Sequence, residues 1–149
     1  TNIELLIIGR GENEKIIKNF IINNQLKKSV KIMNFKINPF PYIKKCDALV
    51  LSSKYEGLPN VLLEALTLNK TIISTNCPTG PNEILSNGKG GLLFKVGDYK
   101  GLAKKILFMK YNYQKCKKKM KYAQNNLSRY DEKTNLEKYH ELILQIVKN

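Results

Sequence analysis

The sequence predicts an α/β protein, a Rossmann-like three-layer sandwich with a mainly parallel sheet and trailing C-terminal helices. Three observations support this. Short apolar runs alternate with helical patterns up to about residue 95, the runs end at turn-forming residues, and the pattern from Asp98 onward is helical. Strands that alternate with helices build βαβ units, and such units give parallel sheets.

Each apolar run of four to six residues predicts one strand, and the first of them should be buried. The predicted strands cover residues 3–8, 30–33, 48–51, 71–74 and 91–94. Apolar residues at helical spacing, or a proline near the first turn, predict the helices between them. These helices cover residues 14–24, 39–45, 60–68 and 81–85, and two or three more follow residue 98, the last at about 132–148.

The length and the cysteine content limit the classes of protein that fit. The 149 residues suit one domain, and the start of the chain is neither a signal nor a transit peptide, so we expect it to begin inside a larger protein. Three distant cysteines without a CxxC pair, and a single histidine, argue against a disulfide framework, a zinc site or a histidine triad. We expect a metal-free domain in the reducing cytoplasm.

The net charge of +14 is unevenly distributed, because residues 100–149 hold 13 of the 26 basic residues and only four acidic ones. Such a surface attracts polyanions, whether an anionic membrane, a lipid-linked pyrophosphate or nucleic acid. However, 24 lysines against 2 arginines, with 17 asparagines and 16 isoleucines, also fit the composition of an AT-rich genome. Specific phosphate or base recognition favours arginine. We therefore rank compositional bias first and contact with the inner face of the cell membrane second, and we expect no nucleic acid partner.

The most informative stretch is residues 52–65, where a strand end leads through a polar loop into a helix. Asn60 is a candidate N-cap, and the N–H groups of Val61 and Leu62 should be free at the positive end of the helix dipole. Gly57 allows close approach of the backbone to a ligand. Together these features predict a site for a diphosphate.

Glu64 lies one helical turn into this helix, on the same face as Asn60. The apolar side chains of the helix leave its carboxylate free to face outward, toward the rim of the anion site, where it could accept hydrogen bonds from two ribose hydroxyls. Taken alone, Glu64 and Glu56 would more often be solvated surface carboxylates. The spacing by itself leaves the function open.

The pair Glu56 and Glu64 resembles the E-x7-E signature of the retaining GT-B glycosyltransferases, the group 1 or family 4-like enzymes. Three flanking segments also resemble that family. They are the strand and glycine loop at 6–11, the strand at 46–52, and the segment 79–93. The resemblance covers about residues 3–106 in the expected order, which makes the set more specific than any one motif.

The resemblance implies a C-terminal donor-binding domain that takes a UDP- or GDP-sugar without a metal. It assigns Glu64 to the ribose and Glu56, as the catalytic candidate, to the sugar hydroxyls and the transferring centre. The loop 34–36 would lie along the base. The other donor-binding positions that it implies are Gly11, Phe35, Gly57, Leu58, Pro59, Asn60, Val61 and Gly80.

For the intact enzyme, the resemblance implies sugar transfer with retention of configuration. The acceptor would be a glycan or a lipid-linked molecule, in bacterial surface polysaccharide or glycolipid synthesis. The family places an Arg and a Lys for the diphosphate before the strand that begins this chain, and an acceptor-binding domain before that. We therefore expect a truncated chain that binds its acceptor through the missing domain and does not catalyse alone.

Parts of the sequence also resemble what two other functions require. A nicotinamide-dependent oxidoreductase would rest on Gly9 and Gly11, but Glu14 stands where the fingerprint needs its third glycine, and no acid follows about 20 residues later. A non-catalytic basic Rossmann-like domain that docks on a membrane or polyanion would rest on the lysines between 115 and 121. At helical spacing these lysines surround the helix rather than mark one groove.

Overall fold

The computed structural model describes residues 3–147. The chain consists of two compact units, with the boundary after Pro39. Both units contain parallel strands connected by helices. The predicted α/β class with parallel pairing is therefore confirmed. The prediction that residues 1–149 form one donor-binding domain without its N-terminal partner domain stays a prediction.

The first unit consists of β1 (Leu5–Ile8), α1 (Glu14–Asn23) and β2 (Val30–Met33). The two strands are parallel, with Leu5 opposite Val30 and Ile8 opposite Met33. The prediction that the first strand is buried is wrong. Leu5 is 44% exposed and the rest of β1 is half-buried, because within this unit one helix and one neighbouring strand cannot cover a strand on both faces.

The second unit begins with α2 (Phe40–Lys45), β3 (Ala48–Leu51), α3 (Asn60–Thr67), β4 (Thr71–Thr75), α4 (Pro81–Ile84) and β5 (Leu92–Phe94). The strand order is β3-β4-β5, and both pairs are parallel. Every residue of β4 is buried, since it has a strand on each side. The ends of the predicted elements up to β5 differ from the observed ones by no more than two residues.

The helical end of the second unit contains α5 (Tyr99–Tyr111), α6 (Tyr113–Gln124), a 3-10 turn (Leu127–Tyr130) and α7 (Glu132–Val147). Helix α6 completes the core by burying Cys116, Met120 and Ala123. A Cβ added to Gly90 would lie 2.7 Å from the Cβ of Ala123, so a glycine at this position lets α6 pack closely. The predicted end of the last helix at residue 148 lies outside the described residues.

Helix α7 is capped by Asp131, whose Oδ2 accepts hydrogen bonds from the backbone N–H and the hydroxyl of Thr134, at 3.0 and 3.1 Å. The two bonds hold the pKa of Asp131 below its ordinary value, and the bond from the backbone N–H has the larger effect. A carboxylate whose pKa is lower in the folded than in the unfolded state stabilises the helix at pH values above the unfolded pKa. This contribution is lost as the pH falls through the folded pKa.

We therefore expect the first turn of α7 to lose helical structure when the pH is lowered below about 4. Backbone carbon chemical shifts of residues 132–135, followed by NMR during an acid titration, measure this directly. The control is Asp131→Asn, which keeps a capping side chain but cannot titrate. A transition of equal size in the control would show that another group is responsible.

Candidate functional site

The loop between β3 and α3, residues 52–59, ends at Pro59, which is buried and occupies the N-cap position of α3. The prediction that Asn60 is the N-cap is wrong, because Asn60 is already the first helical residue, and no side chain caps this end. The Leu62 N–H donates to the Pro59 carbonyl at 2.9 Å. It is therefore not free, contrary to expectation. Within residues 3–147, the N–H groups of Asn60 and Val61 have no hydrogen-bond acceptor.

Helix α3 buries one face completely, since Leu62, Ala65 and Leu66 are 0% exposed. Val61 and Glu64 are half-buried, and Asn60 is exposed. The predicted apolar face is therefore confirmed. The carboxylate of Glu64 makes no hydrogen bond or ion pair with any other described residue, which leaves its oxygens available as acceptors.

The loop that follows β4 supports the β3–α3 loop through side-chain hydrogen bonds. The hydroxyl of Thr75 donates to the Ser53 carbonyl at 2.7 Å. The hydroxyl of Thr79 donates to the Glu56 carbonyl. Both donors come from the carboxyl end of the central strand of the unit, β4, or from the residues just after it. The backbone on either side of the Glu56 side chain is thereby attached to the core.

Gly80 brings these two loops into direct contact. Its φ is +81°, a conformation that L side chains rarely adopt. A Cβ added here would overlap the Gly57 carbonyl oxygen and lie 2.5 Å from Cδ of Pro59. Gly80 is therefore needed both for its backbone conformation and for the close approach of Gly57 and Pro59.

The exposed part of the β3–α3 loop contains three of the predicted site residues. Glu56 is half-buried, and its carboxylate has no partner in the part of the chain that the structure describes. Leu58 is 51% exposed. No heavy atom lies within 4 Å of a Cβ added to Gly57. A ligand could therefore reach three groups of this loop, which are the Glu56 carboxylate, the Gly57 backbone and the Leu58 side chain.

The first unit contains the two remaining predicted residues, Gly11 after β1 and Phe35 after β2. Phe35 is 55% exposed, and the Arg10 guanidinium lies 5.4 Å from the centroid of its ring. This distance is typical of a cation–π contact. Gly11 is exposed, with open space where a Cβ would be. Their roles toward a donor stay predictions.

Sequence reasoning did not find Arg129, which lines an open cleft of about 430 Å³. Its guanidinium donates to the Glu83 carbonyl and lies 4.8 Å from the ring centroid of Tyr130. Burial raises the pKa of Tyr130, while the nearby Arg129 charge opposes that rise. The signal in the sequence was the rarity of arginine, because the chain has only Arg10 and Arg129. In the structure, each of the two lies over an aromatic ring. The other residues that line the cleft are Pro78, Thr79, Gly80, Asn82, Glu83, Ser86 and Asn87.

The three cysteines are free thiols, and burial raises the pKa of Cys116 against the opposing effect of Lys119. Across residues 3–147, no three His, Cys, Asp or Glu side chains are grouped so that they could hold a metal ion. The expectation of a metal-independent enzyme stays a prediction. No helix in the same range is long and apolar enough to cross a membrane.

The β3–α3 loop and the Glu56–Glu64 pair lie within a segment that matches a known protein family. The family model for glycosyl transferases group 1 matches residues 1–126. The chain belongs to this family. The assignment favours the glycosyltransferase interpretation over the oxidoreductase alternative.

Curated relatives of this glycosyl transferases group 1 chain are found in archaea and bacteria. An uncharacterized glycosyltransferase of Methanocaldococcus jannaschii is 43% identical over 84 residues, which is 56% of this chain and 21% of that protein. The N,N'-diacetylbacillosaminyl-diphospho-undecaprenol alpha-1,3-N-acetylgalactosaminyltransferase of Campylobacter jejuni is 28% identical over 97% of this chain and 38% of its own length. The chain therefore spans only about a fifth to two fifths of the relatives' length.

Solved structures share the fold. HepE of Anabaena in complex with UDP-glucose superposes with a TM-score of 0.84 at 23% identity, covering 95% of this chain and 41% of that one. The lipopolysaccharide outer core galactosyltransferase WaaB superposes with a TM-score of 0.79 at 20% identity, covering 95% of this chain and 40% of its own. The chain has the fold of a domain of GT-B glycosyltransferases.

Proposed function

We propose that this chain is the donor-binding part of a retaining glycosyltransferase. The enzyme transfers a sugar from a UDP- or GDP-sugar to a glycan or a lipid-linked acceptor. The observation that carries the proposal is the β3–α3 loop, which is attached to the core through Thr79 and Gly80. The loop presents Glu56 and the helix after it presents Glu64, and neither carboxylate has a partner among residues 3–147.

Glu64 accepts hydrogen bonds from the donor's ribose, and Glu56 contacts the hydroxyls of the transferred sugar. The backbone of residues 57–61 lies against the distal phosphate and the sugar. The unpaired N–H groups of Asn60 and Val61 suit this role, since N–H groups at a helix start bind anions. A carboxylate that accepts two hydroxyl hydrogen bonds both orients the donor and selects for a sugar.

The biological setting of the proposal follows from the relatives. Several act in the synthesis of capsular polysaccharide or lipopolysaccharide, including one from Staphylococcus aureus and one from Rhizobium meliloti. We place this enzyme in a similar bacterial surface glycan or glycolipid synthesis, in the cytoplasm at the inner face of the membrane. Its acceptor binds through a separate acceptor-binding domain of the intact enzyme, and this chain alone does not turn over.

The transfer reaction itself gives the test. The full-length protein that carries this chain is incubated with a UDP- or GDP-sugar and an acceptor, and the anomeric configuration of the new bond is read by proton NMR. Retention of the donor's configuration supports the proposal. Inversion contradicts it, and so does transfer that continues unchanged without any nucleoside diphosphate sugar.

In the same assay, Glu56→Gln is expected to lower kcat/KM by about 10- to 100-fold, the effect of losing a hydrogen bond to a charged group. The side chain keeps its size, so the loop should stay in place. The matched control is Glu141→Gln, at an exposed carboxylate on α7 outside the predicted site. An equal decrease in kcat/KM in the two variants would show that Glu56 is not part of the catalytic site.

A further inference from the structure

The part of the chain from residue 99 to residue 130 contains ten basic residues and no acidic one. The other 117 residues hold 16 basic residues and all 12 acidic ones. Helices α5 and α6 lie within this acid-free part. Composition alone would add lysines throughout the chain, but it gives no reason for the carboxylates to be missing from one pair of consecutive helices.

Helix α6 directs most of its positive charge to the surface. Its buried face consists of Cys116, Met120 and Ala123. One lysine, Lys119, is turned toward the protein and donates to the Gly88 carbonyl at 2.6 Å. The other four are exposed, and among the described residues the only ion pairs lie in the first unit. The four exposed lysines are Lys115, Lys117, Lys118 and Lys121.

Three of these exposed lysines surround a shallow cleft of about 280 Å³, here called the lysine cleft. Lys117 and Lys121 are four residues apart on one helix face, and like charges at this spacing repel each other. A bound anion would relieve this repulsion. The complete lining is Asn69, Gln114, Lys117, Lys118, Met120 and Lys121, which combines three cations and two amides with one apolar side chain and no carboxylate.

We infer that the lysine cleft binds the phosphate headgroups of anionic lipids and docks α6 on a membrane surface. Two exposed tyrosines on α6 itself favour a bilayer, since Tyr113 and Tyr122 lie one helical turn from Lys117 and Lys118. Tyr113 is 46% and Tyr122 43% exposed, and Nζ of Lys117 lies 5.9 Å from the ring centroid of Tyr113. Tyrosines with an apolar ring and a polar end are typical of the membrane interface.

Nucleic acid is a poorer partner for this surface. Neither α5 nor α6 contains an arginine, the residue that best forms paired hydrogen bonds to phosphates and bases. Lysines act instead as point charges, which suits the diffuse attraction of an anionic bilayer. The inference does not depend on the proposed donor site, which consists of other residues.

The experiment measures binding of the chain to vesicles by sedimentation. The vesicles are phosphatidylcholine alone or phosphatidylcholine with phosphatidylglycerol, at low and high salt. The test variant, Lys117→Gln/Lys118→Gln/Lys121→Gln, removes three charges from the cleft. The control variant, Lys15→Gln/Lys27→Gln/Lys28→Gln, removes three exposed charges from the first unit, so the two variants have equal net charge.

We expect the wild type to bind only the anionic vesicles and to dissociate at high salt. The cleft variant should lose roughly 100-fold in partitioning, because each lysine near the surface contributes about a fivefold factor. The control variant should lose much less. Circular dichroism verifies that both variants fold, and Glu64→Ala should bind vesicles like the wild type.

Three results would overturn the inference. Equal losses in the cleft and control variants would mean that net charge alone attracts the vesicles. Equal binding to neutral and anionic vesicles would exclude recognition of anionic headgroups. Tighter binding to a DNA oligonucleotide than to vesicles, lost in the cleft variant, would identify the surface as a nucleic acid site instead.

Discussion

Glu64→Ala is expected to weaken binding of the nucleoside diphosphate, UDP or GDP, by about 10- to 100-fold. The variant removes a charged acceptor of hydrogen bonds from the ribose hydroxyls, and losing such an acceptor costs about 1.5–3 kcal/mol in total. The carboxylate has no protein partner among residues 3–147, so its removal should leave α3 intact. Isothermal titration calorimetry at low salt measures the loss.

The matched control is Glu137→Ala, at an exposed carboxylate on α7. It changes the net charge by the same amount but lies outside the predicted site, so binding should be unchanged. An unchanged melting temperature of Glu64→Ala would show that the loss of affinity arises locally and not from unfolding. A nucleotide affinity of Glu64→Ala equal to that of the wild type would contradict the ribose assignment.

Gly80→Ala is expected to give the largest loss of stability of any single methyl addition to the site. The substitution forces a non-glycine residue into φ +81° and places its Cβ against the backbone of Gly57 and Cδ of Pro59. Backbone strain and overpacking together should cost about 2–4 kcal/mol in the free energy of unfolding. Thermal denaturation should show this as a drop of roughly 5–15 °C in Tm.

Two other glycines separate the two causes. Gly97→Ala introduces a side chain at φ +78° with no atom within 4 Å, so it measures strain without overlap. Gly11→Ala adds a methyl group in open space without a positive φ, and should be nearly neutral. If Gly80→Ala were no less stable than Gly97→Ala, the contact between the two loops would not need a glycine.

Much of the fold could be predicted from local patterns. The apolar runs located the five strands found in residues 3–147, and helical spacing or a proline near the first turn located the helices between them, because these signals act over a few neighbouring residues. The burial of each strand could not be predicted in the same way. β1 is entirely apolar and β4 contains two threonines and a serine, yet β4 is buried and β1 is partly exposed, since of these two strands β4 alone has a strand on both sides.

The candidate site shows the same limit. The position and outward face of Glu64 follow from helical spacing, and the structure agrees. The N-cap assignment is wrong because Pro59 occupies that position and the helix already begins at Asn60. The contacts of Thr79 with Glu56, and of Arg129 with Glu83, join residues 23 and 46 positions apart, which no local pattern reveals.

The central claim is that a nucleoside diphosphate binds at the start of α3. The most direct test is an NMR titration of the isotopically labelled chain with UDP, GDP and NAD, at low salt so that weak electrostatic binding is retained. We predict that UDP or GDP shifts the amide signals between residues 57 and 64, and that Glu64→Ala abolishes these shifts. Shifts with NAD alone, or unmoved signals in this region at millimolar UDP and GDP, would contradict the claim.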